Sequence, residues 1–312
     1  MSSLTTLVHD FPKGIDSRFN LEIYQKQFEN HSFIVNATAE KMEYPKHWGL
    51  LSIKCAFNGT EYYEAANGFY GVNDSNFLIF NEGTIRSSYI SSAKPVHSFS
   101  ISFSPSFVSN YLAYFNVREG QLLDDSFHSE HHQIEFTERL HPHNELVSPL
   151  LIRLKRLSEN QAENNGEIEE TLSLLFGSMI ATQKHVWRSM KQVASVRAST
   201  QKELYTRLHR AKDYISSCFK KNLTLDEIAG VACLNRNYFL REFKKLFQHT
   251  PHQYLIELRL TEAYRILASS DKGVAEICSE VGYSDIASFS KLFKKRYQYP
   301  PSKNRFKKRA VL

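Results

Sequence analysis

Cysteine is scarce in this chain. The four that occur, Cys55, Cys218, Cys233 and Cys278, are far apart in 312 residues and form no Cys-x-x-Cys pair. That spacing excludes a disulfide framework and a zinc site of the usual kind, and predicts reduced thiols packed among apolar neighbours. Long apolar runs are absent too: no stretch reaches 18 apolar residues, and residues 1–15 lack an apolar core flanked by basic ones. The expectation is a soluble, cytoplasmic protein that enters no membrane. No Gly-rich phosphate loop, Ser-centred elbow or His-Glu-x-x-His run occurs. His128, His131, His132, His141 and His143 lie close in sequence, but without the spacing of a metal-binding strand, and are read as loop histidines. An enzyme is therefore not expected, nor a metal or cofactor.

What the chain has instead is an uneven charge. From Gln201 onward 22 Lys plus Arg stand against 11 Asp plus Glu, whereas the first 200 residues hold 17 against 22. A basic second part beside an acidic first part is the footprint of a surface that displaces counterions from phosphate. The length exceeds one typical domain, so two cores are expected.

The basic part repeats itself. Asp226-Glu227-Ile228-Ala229 leads through Val231, Ala232 and Asn235 to Phe239, Phe243 and Lys244-Lys245; Ala275-Glu276-Ile277-Cys278 leads through Val281 and Gly282 to Phe289, Phe293 and Lys294-Lys295. Ile228 and Ile277 are 49 apart, but Phe239 and Phe289 are 50 apart, so the second copy has one extra residue in its polar middle. An offset that changes once marks two rigid pieces joined by a turn of adjustable length. Both pieces have helical spacing, with Asn235 and either Ser284 or Asp285 suited to cap the second piece and small Ala229 and Cys278 allowing close crossing. The pattern predicts two helix-turn-helix motifs, over about 225–247 and 274–296, joined by a helix over 251–268 that opens on Pro251. Such a helix is roughly 27 Å long, which holds the two second helices near the spacing of successive major grooves, about 34 Å.

Residues 225–309 resemble the DNA-binding domain of the AraC/XylS family of bacterial transcription regulators, most specifically at Ala275 to Lys294, Pro300-Pro301 and Arg305. Cys233, Cys278 and Asn304 depart from the family pattern, which usually has Gly, Ala and Tyr there. The resemblance implies a cupin-like ligand-sensing barrel over 1–105, a helical segment over 106–192 that pairs two subunits and a DNA-binding domain over 201–312, hence an α+β chain; the small, polar stretch 193–200, where the charge balance changes sign, is read as the linker. It further implies a homodimer, a small-molecule effector, and activation through contact with RNA polymerase.

In a helix-turn-helix the start of the second helix meets the base edges. The outward positions there are Arg236, Asn237, Leu240 and Arg241 in the first copy and Ile286, Ala287, Ser288 and Lys291 in the second. Arg forks onto guanine, Asn onto adenine, and Leu touches a thymine methyl, so the first copy should discriminate bases more strongly. Lys244, Lys245, Lys294, Lys295, Arg296 and Arg305 are the phosphate candidates, with Lys303, Lys307, Lys308 and Arg309 behind them.

The first part reads as short strands: 33–35, 49–57, 77–80 and the strictly alternating 98–103, with turns at Asn58-Gly59, Asn67-Gly68 and Asn81-Glu82-Gly83. Helices follow, over 107–115, along Leu146, Leu150, Leu151, Leu154 and Leu157, and along Ile168, Leu172, Leu175, Met179 and Val186, while Ile134-Glu135-Phe136 suits one more strand. Leu204, Leu208, Tyr214, Ile215 and Phe219 mark the first helix of the basic part. Trp48, Tyr62, Tyr63 and Tyr70 are candidates to line a ligand pocket, with Lys54 or Arg86 to pair an anionic ligand. The rival expectations are a constitutive dimeric regulator and a cupin enzyme fused to a DNA-binding module.

Overall fold

The computed structural model describes residues 5–10, 31–118, 134–159, 165–190 and 198–303, which fall into two units, Met1–Gln192 and Val193–Leu312. His128, His131, His132, Arg305, Lys307, Lys308 and Arg309 lie outside the described residues.

The first unit is a sheet backed by helices. Its strands are β1 (Thr5–Val8), β2 (Ser32–His47), β3 (Leu51–Phe57), β4 (Glu61–Ala65), β5 (Gly68–Val72), β6 (Asn76–Phe80), β7 (Arg86–Phe103) and β8 (Leu140–Pro142). The paired path runs β1-β2-β7-β3-β6-β8, with β4 on the other half of β7 and β5 on β4. Among the described residues this path has two ends and does not close, so the barrel expectation is met only as an open sheet. β1 pairs β2 in parallel; every other ladder is antiparallel.

Alternation gives the sheet two faces. One buries Ile53, Cys55, Phe99, Ile101 and Phe103 against the helices; the other buries Ala56, Tyr63, Tyr70, Phe80 and Val96. The helices are α1 (Pro105–Arg118), α2 (Ser148–Glu159) and α3 (Asn165–Met190). Leu151 and Leu154 of α2 and Leu172, Phe176 and Met179 of α3 form the helical side of that core. The Phe176 ring meets Phe103, Phe107, Tyr111 and Phe136.

Three local expectations are corrected. Residues 134–138 form no strand; the strand is β8, and Asn81 instead fixes Phe136 by bonding both its amide and its carbonyl, each at 2.8 Å. The hairpin joining β4 to β5 turns at Ala66-Asn67, because Ala65 pairs Gly68. The strand expected at 98–103 is the second half of the 18-residue β7.

The second unit is helical: α4 (Ala198–Cys218), α5 (Leu225–Val231), α6 (Arg236–Phe247), α7 (Pro251–Ser269), α8 (Val274–Glu280) and α9 (Ile286–Tyr297). α4 starts inside the expected linker. It buries Leu204, Tyr205, Leu208, Ala211, Ile215 and Cys218, whereas Tyr214 stays at the surface and donates to the Glu227 carboxylate at 2.6 Å. α7 buries Leu255, Leu260, Ala263, Ile266 and Leu267. Among the described residues no helix is long and apolar enough to cross a membrane.

Candidate nucleic-acid interface

The two helix pairs of the second unit, α5 with α6 and α8 with α9, share the caps of their second helices and their turn hydrogen bonds but not their openings, since Gly273 before α8 makes no side-chain cap bond. Thr224 opens α5 with a capping box to Glu227, and Thr250 opens α7 with one to Gln253, satisfying amides the helices cannot. Asn235 caps α6 by accepting from the Asn237 amide, and Asp285 caps α9 by accepting from those of Ala287 and Ser288. Of the two expected caps for α9, Asp285 is the one used. The Ser288 hydroxyl, with these two amides, holds its carboxyl below the usual carboxylate range. Each second helix carries an aromatic stripe: Phe239, Phe243 and Phe247 in α6, Phe289, Phe293 and Tyr297 in α9, with successive ring centroids 4.5–5.8 Å apart. The stripe buries the inner face and fixes which side chains point out.

Those pointing out include the expected ones. Arg236, Asn237 and Arg241 are exposed on α6, with Leu240 half-buried; Ile286, Ala287, Ser288 and Lys291 are exposed on α9. Two of the cations are held by acids of the same pair. The Arg236 guanidinium meets Asp226 at 3.2 Å, and Arg241 Nε donates to Glu242 at 2.9 Å while its guanidinium lies 5.1 Å over the Tyr238 ring. The Arg236–Asp226 pair is exposed and adds little stability, whereas Glu242 is buried; both pairs restrict where a guanidinium starts from.

Tyr238 is the residue the sequence reading left out. It is 37% exposed at the third residue of α6, beside Arg241. A constant offset of 50 within the second helices would have found it, since that offset matches Tyr238 to Ser288 and Leu240 to the half-buried Ser290, not to Ser288.

Lys244, Lys245, Lys294 and Lys295 are exposed in the last turns. Arg296 is committed elsewhere, its Nε donating to Glu257 of α7 at 2.7 Å. Beside the first turn, Lys202, Thr206, Arg207, Arg210 and Cys233 border a recess of about 400 Å³, and Arg207 donates to the Cys233 carbonyl at 3.0 Å. Cys233 itself is exposed, correcting the expectation that all four thiols pack; Cys55, Cys218 and Cys278 are buried.

The sheet's ligand candidates are separated by the pleat. Tyr62 stacks on Phe69 and Tyr89, on the face opposite to Tyr63, and Trp48 is 44% exposed. Tyr63, Tyr70 and Arg86 are buried and Lys54 is half-buried. His141 is buried against Phe77, and His143 meets the Ser148 hydroxyl at 2.9 Å.

Residues 228–306 match a family described as a helix-turn-helix domain. The chain is 31% identical over 94 residues to a probable transcriptional regulator, LumQ, of Photobacterium leiognathi, covering 30% of this chain and 38% of that one. It is 29% identical over 98 residues to the lactose operon transcription activator of Staphylococcus xylosus, covering 31% of this chain and 35% of that one. The C-terminal domain of AraT, a response regulator from Geobacillus stearothermophilus, is similar at 28% identity over 32% of this chain and 84% of that one, with a TM-score of 0.31. The matched part thus spans under two fifths of those two curated relatives.

Proposed function

We propose that the second unit, whose residues 228–306 match a helix-turn-helix domain, is of the AraC/XylS type, and that the chain is a sequence-specific, effector-responsive transcription regulator that sets α6 and α9 into successive major grooves. The observation that carries this is the duplication of caps, turn bonds and aromatic stripe, which presents the start of each second helix outward in the same way. Arg236, Asn237, Tyr238 and Arg241 supply donors and an aromatic edge for base reading; Ile286, Ala287 and Ser288 supply methyl and shape contacts. Lys244, Lys245, Lys294 and Lys295 take phosphates.

The first unit is the cupin-like sensing part. Homodimerisation through α2 and α3 is supported by Ile152 and Leu174, apolar residues of these helices that are 46% and 48% exposed. The regulator acts in the cytoplasm, as an activator that contacts RNA polymerase. An effector shifts it between two arrangements of its reading helices only if it binds one of them more tightly.

The test is selection of sites from random duplex DNA with the full-length chain, followed by salt titration of the winner. A site with two elements one helical turn apart supports the proposal. Weak, sequence-blind binding that salt abolishes overturns it.

A further inference from the structure

The inner face of the sheet, which packs away from the helices, has an unusual composition for strand interiors. Register puts Lys54 opposite Ser100, Ser52 opposite Ser102 and Ala56 opposite Ser98. Ala37 lies on the other side of Ser98. Central strands usually fill such positions with branched or aromatic side chains. Serine and alanine in adjacent rows leave room instead.

On this face lie two cations, each within electrostatic reach of an acid, Lys54 of Glu61 and Arg86 of Glu138, but neither in an ion pair among the described residues. Lys54 is half-buried, and among the described residues it meets no carboxylate at ion-pair distance. Arg86 is 3% exposed. Its guanidinium bonds only neutral oxygens, the Thr84 carbonyl at 3.2 Å, the Leu50 carbonyl at 3.4 Å and Ser52 Oγ at 3.2 Å. The fold makes way for it: a Cβ on Gly49 would fall 2.2 Å from Arg86 Nη2. The two cations are close enough to repel, and burial with that repulsion lowers Lys54 to about 7 and burial lowers Arg86 to about 10.

Of the two acids nearby, Glu138 acts on Arg86 while accepting from the Asn81 amide and the Thr84 hydroxyl, and Glu61 acts on Lys54. Glu61 is 2% exposed, and burial pushes its pKa up, towards the neutral form. Hydroxyls of Ser98, Tyr63 and Ser88 donate to its carboxyl, but Oε2 has no partner. A buried polar atom left unpaired is costly unless something that is bound part of the time completes it.

The geometry points to a binding site for a small organic carboxylate inside this face, its anion between Lys54 and Arg86 and a hydroxyl of the same molecule on Glu61 Oε2. Val96, Ile90 and Phe80 on the same face provide an apolar wall for the rest of the molecule. This deepens the effector-responsive reading and names the chemistry of the effector.

The test is calorimetric titration of the full-length chain, without DNA, with acetate, butyrate, octanoate, benzoate and 4-hydroxybenzoate, and with benzamide, 4-hydroxybenzyl alcohol and inorganic phosphate as comparisons. At least one carboxylate should bind, the uncharged analogues should not, and Lys54→Met should weaken binding by about tenfold or more. Ser100→Val fills space and keeps the charge, and should weaken binding too. Thermal melts of both variants establish folding, and Lys54→Met should melt no lower than the parent, because Lys54 has no ion pair to lose. Binding of phosphate alone identifies an inorganic-anion site and overturns the carboxylate assignment. No binding by any acid, equal binding of acids and uncharged analogues, or an unaffected Lys54→Met overturns the site. Because these titrations contain no DNA, their failure leaves the DNA-binding reading to its own test.

Discussion

Cys233 and Gly282 hold the same place in two turns. Both have left-handed backbone, φ 51° and 90°, and the amide following each returns to the carbonyl five residues back, Leu234 to Ala229 at 3.1 Å and Tyr283 to Cys278 at 2.9 Å. This is the glycine-favouring end of a helix, and only one copy has the glycine.

The two positions should therefore respond oppositely. Cys233→Gly relieves a strained side chain and should raise stability by about 0.5–1 kcal/mol, less the entropy that glycine loses. Gly282→Ala meets both a left-handed φ and the Lys220 carbonyl oxygen 2.6 Å from the new Cβ, and should lower it by about 1–3 kcal/mol. Thermal melts of the two variants check this; equal shifts of one sign would show the turns to be differently built.

Arg241→Ala should change which bases are preferred, by about 1–3 kcal/mol at one position of the site. Lys244→Ala should weaken all sequences alike and reduce the salt slope by about one. Competition binding against single-base variants separates the two outcomes. Uniform weakening by Arg241→Ala would move that residue to the phosphate class.

Asp285 should make the second unit sensitive to acid. Its folded pKa is depressed by the α9 amides and the Ser288 hydroxyl, so its contribution is present above the ordinary value of 3.8 and lost as pH falls through the lower folded one. Melts from pH 5 to pH 2 should show a shallower acid loss in Asp285→Asn than in the parent.

Lys54 should act in the alkaline direction. Its folded pKa of about 7 lies below the ordinary 10.5, so between these values the unfolded chain holds more protons and stability rises with pH. The difference in melting temperature, parent minus Lys54→Met, should therefore climb from pH 7 towards pH 10. Taking that difference cancels the groups that titrate in both proteins, such as Tyr63 and Cys55. A flat difference would mean that Lys54 is hydrated rather than enclosed.

The second unit was legible because its determinants are local. Caps at Asn235 and Asp285, phenylalanines four residues apart and the change of offset from 49 to 50 all lie within a few turns of chain. The same offset extends to Gln248 and Gln298, both left-handed helix ends with φ 60° and 68°, which the sequence reading passed over. The sheet was less legible. β1 pairs in parallel, not antiparallel, with the strand that follows it, and β2 extends to His47 through a polar stretch whose partner is the equally polar first half of β7. Which face Tyr62 takes depends on a register no single strand contains. The surroundings of Lys54 are likewise invisible until the strands are assembled, since nothing in its neighbours along the chain says that Arg86 and Glu61 are the charges that act on it.

Arg259 ties the halves of the duplicated unit together. From α7 it donates to the carbonyls of Phe219 and Lys221, at 2.7 and 2.8 Å, just beyond α4, and its guanidinium lies 5.3 Å over Tyr283 in the turn of the other pair. A repeated motif invites the picture of two modules that melt one after the other. One side chain bridging both sides of α7 argues for a single cooperative transition: loosening either half strands the same guanidinium, so the domain keeps both reading helices or loses both.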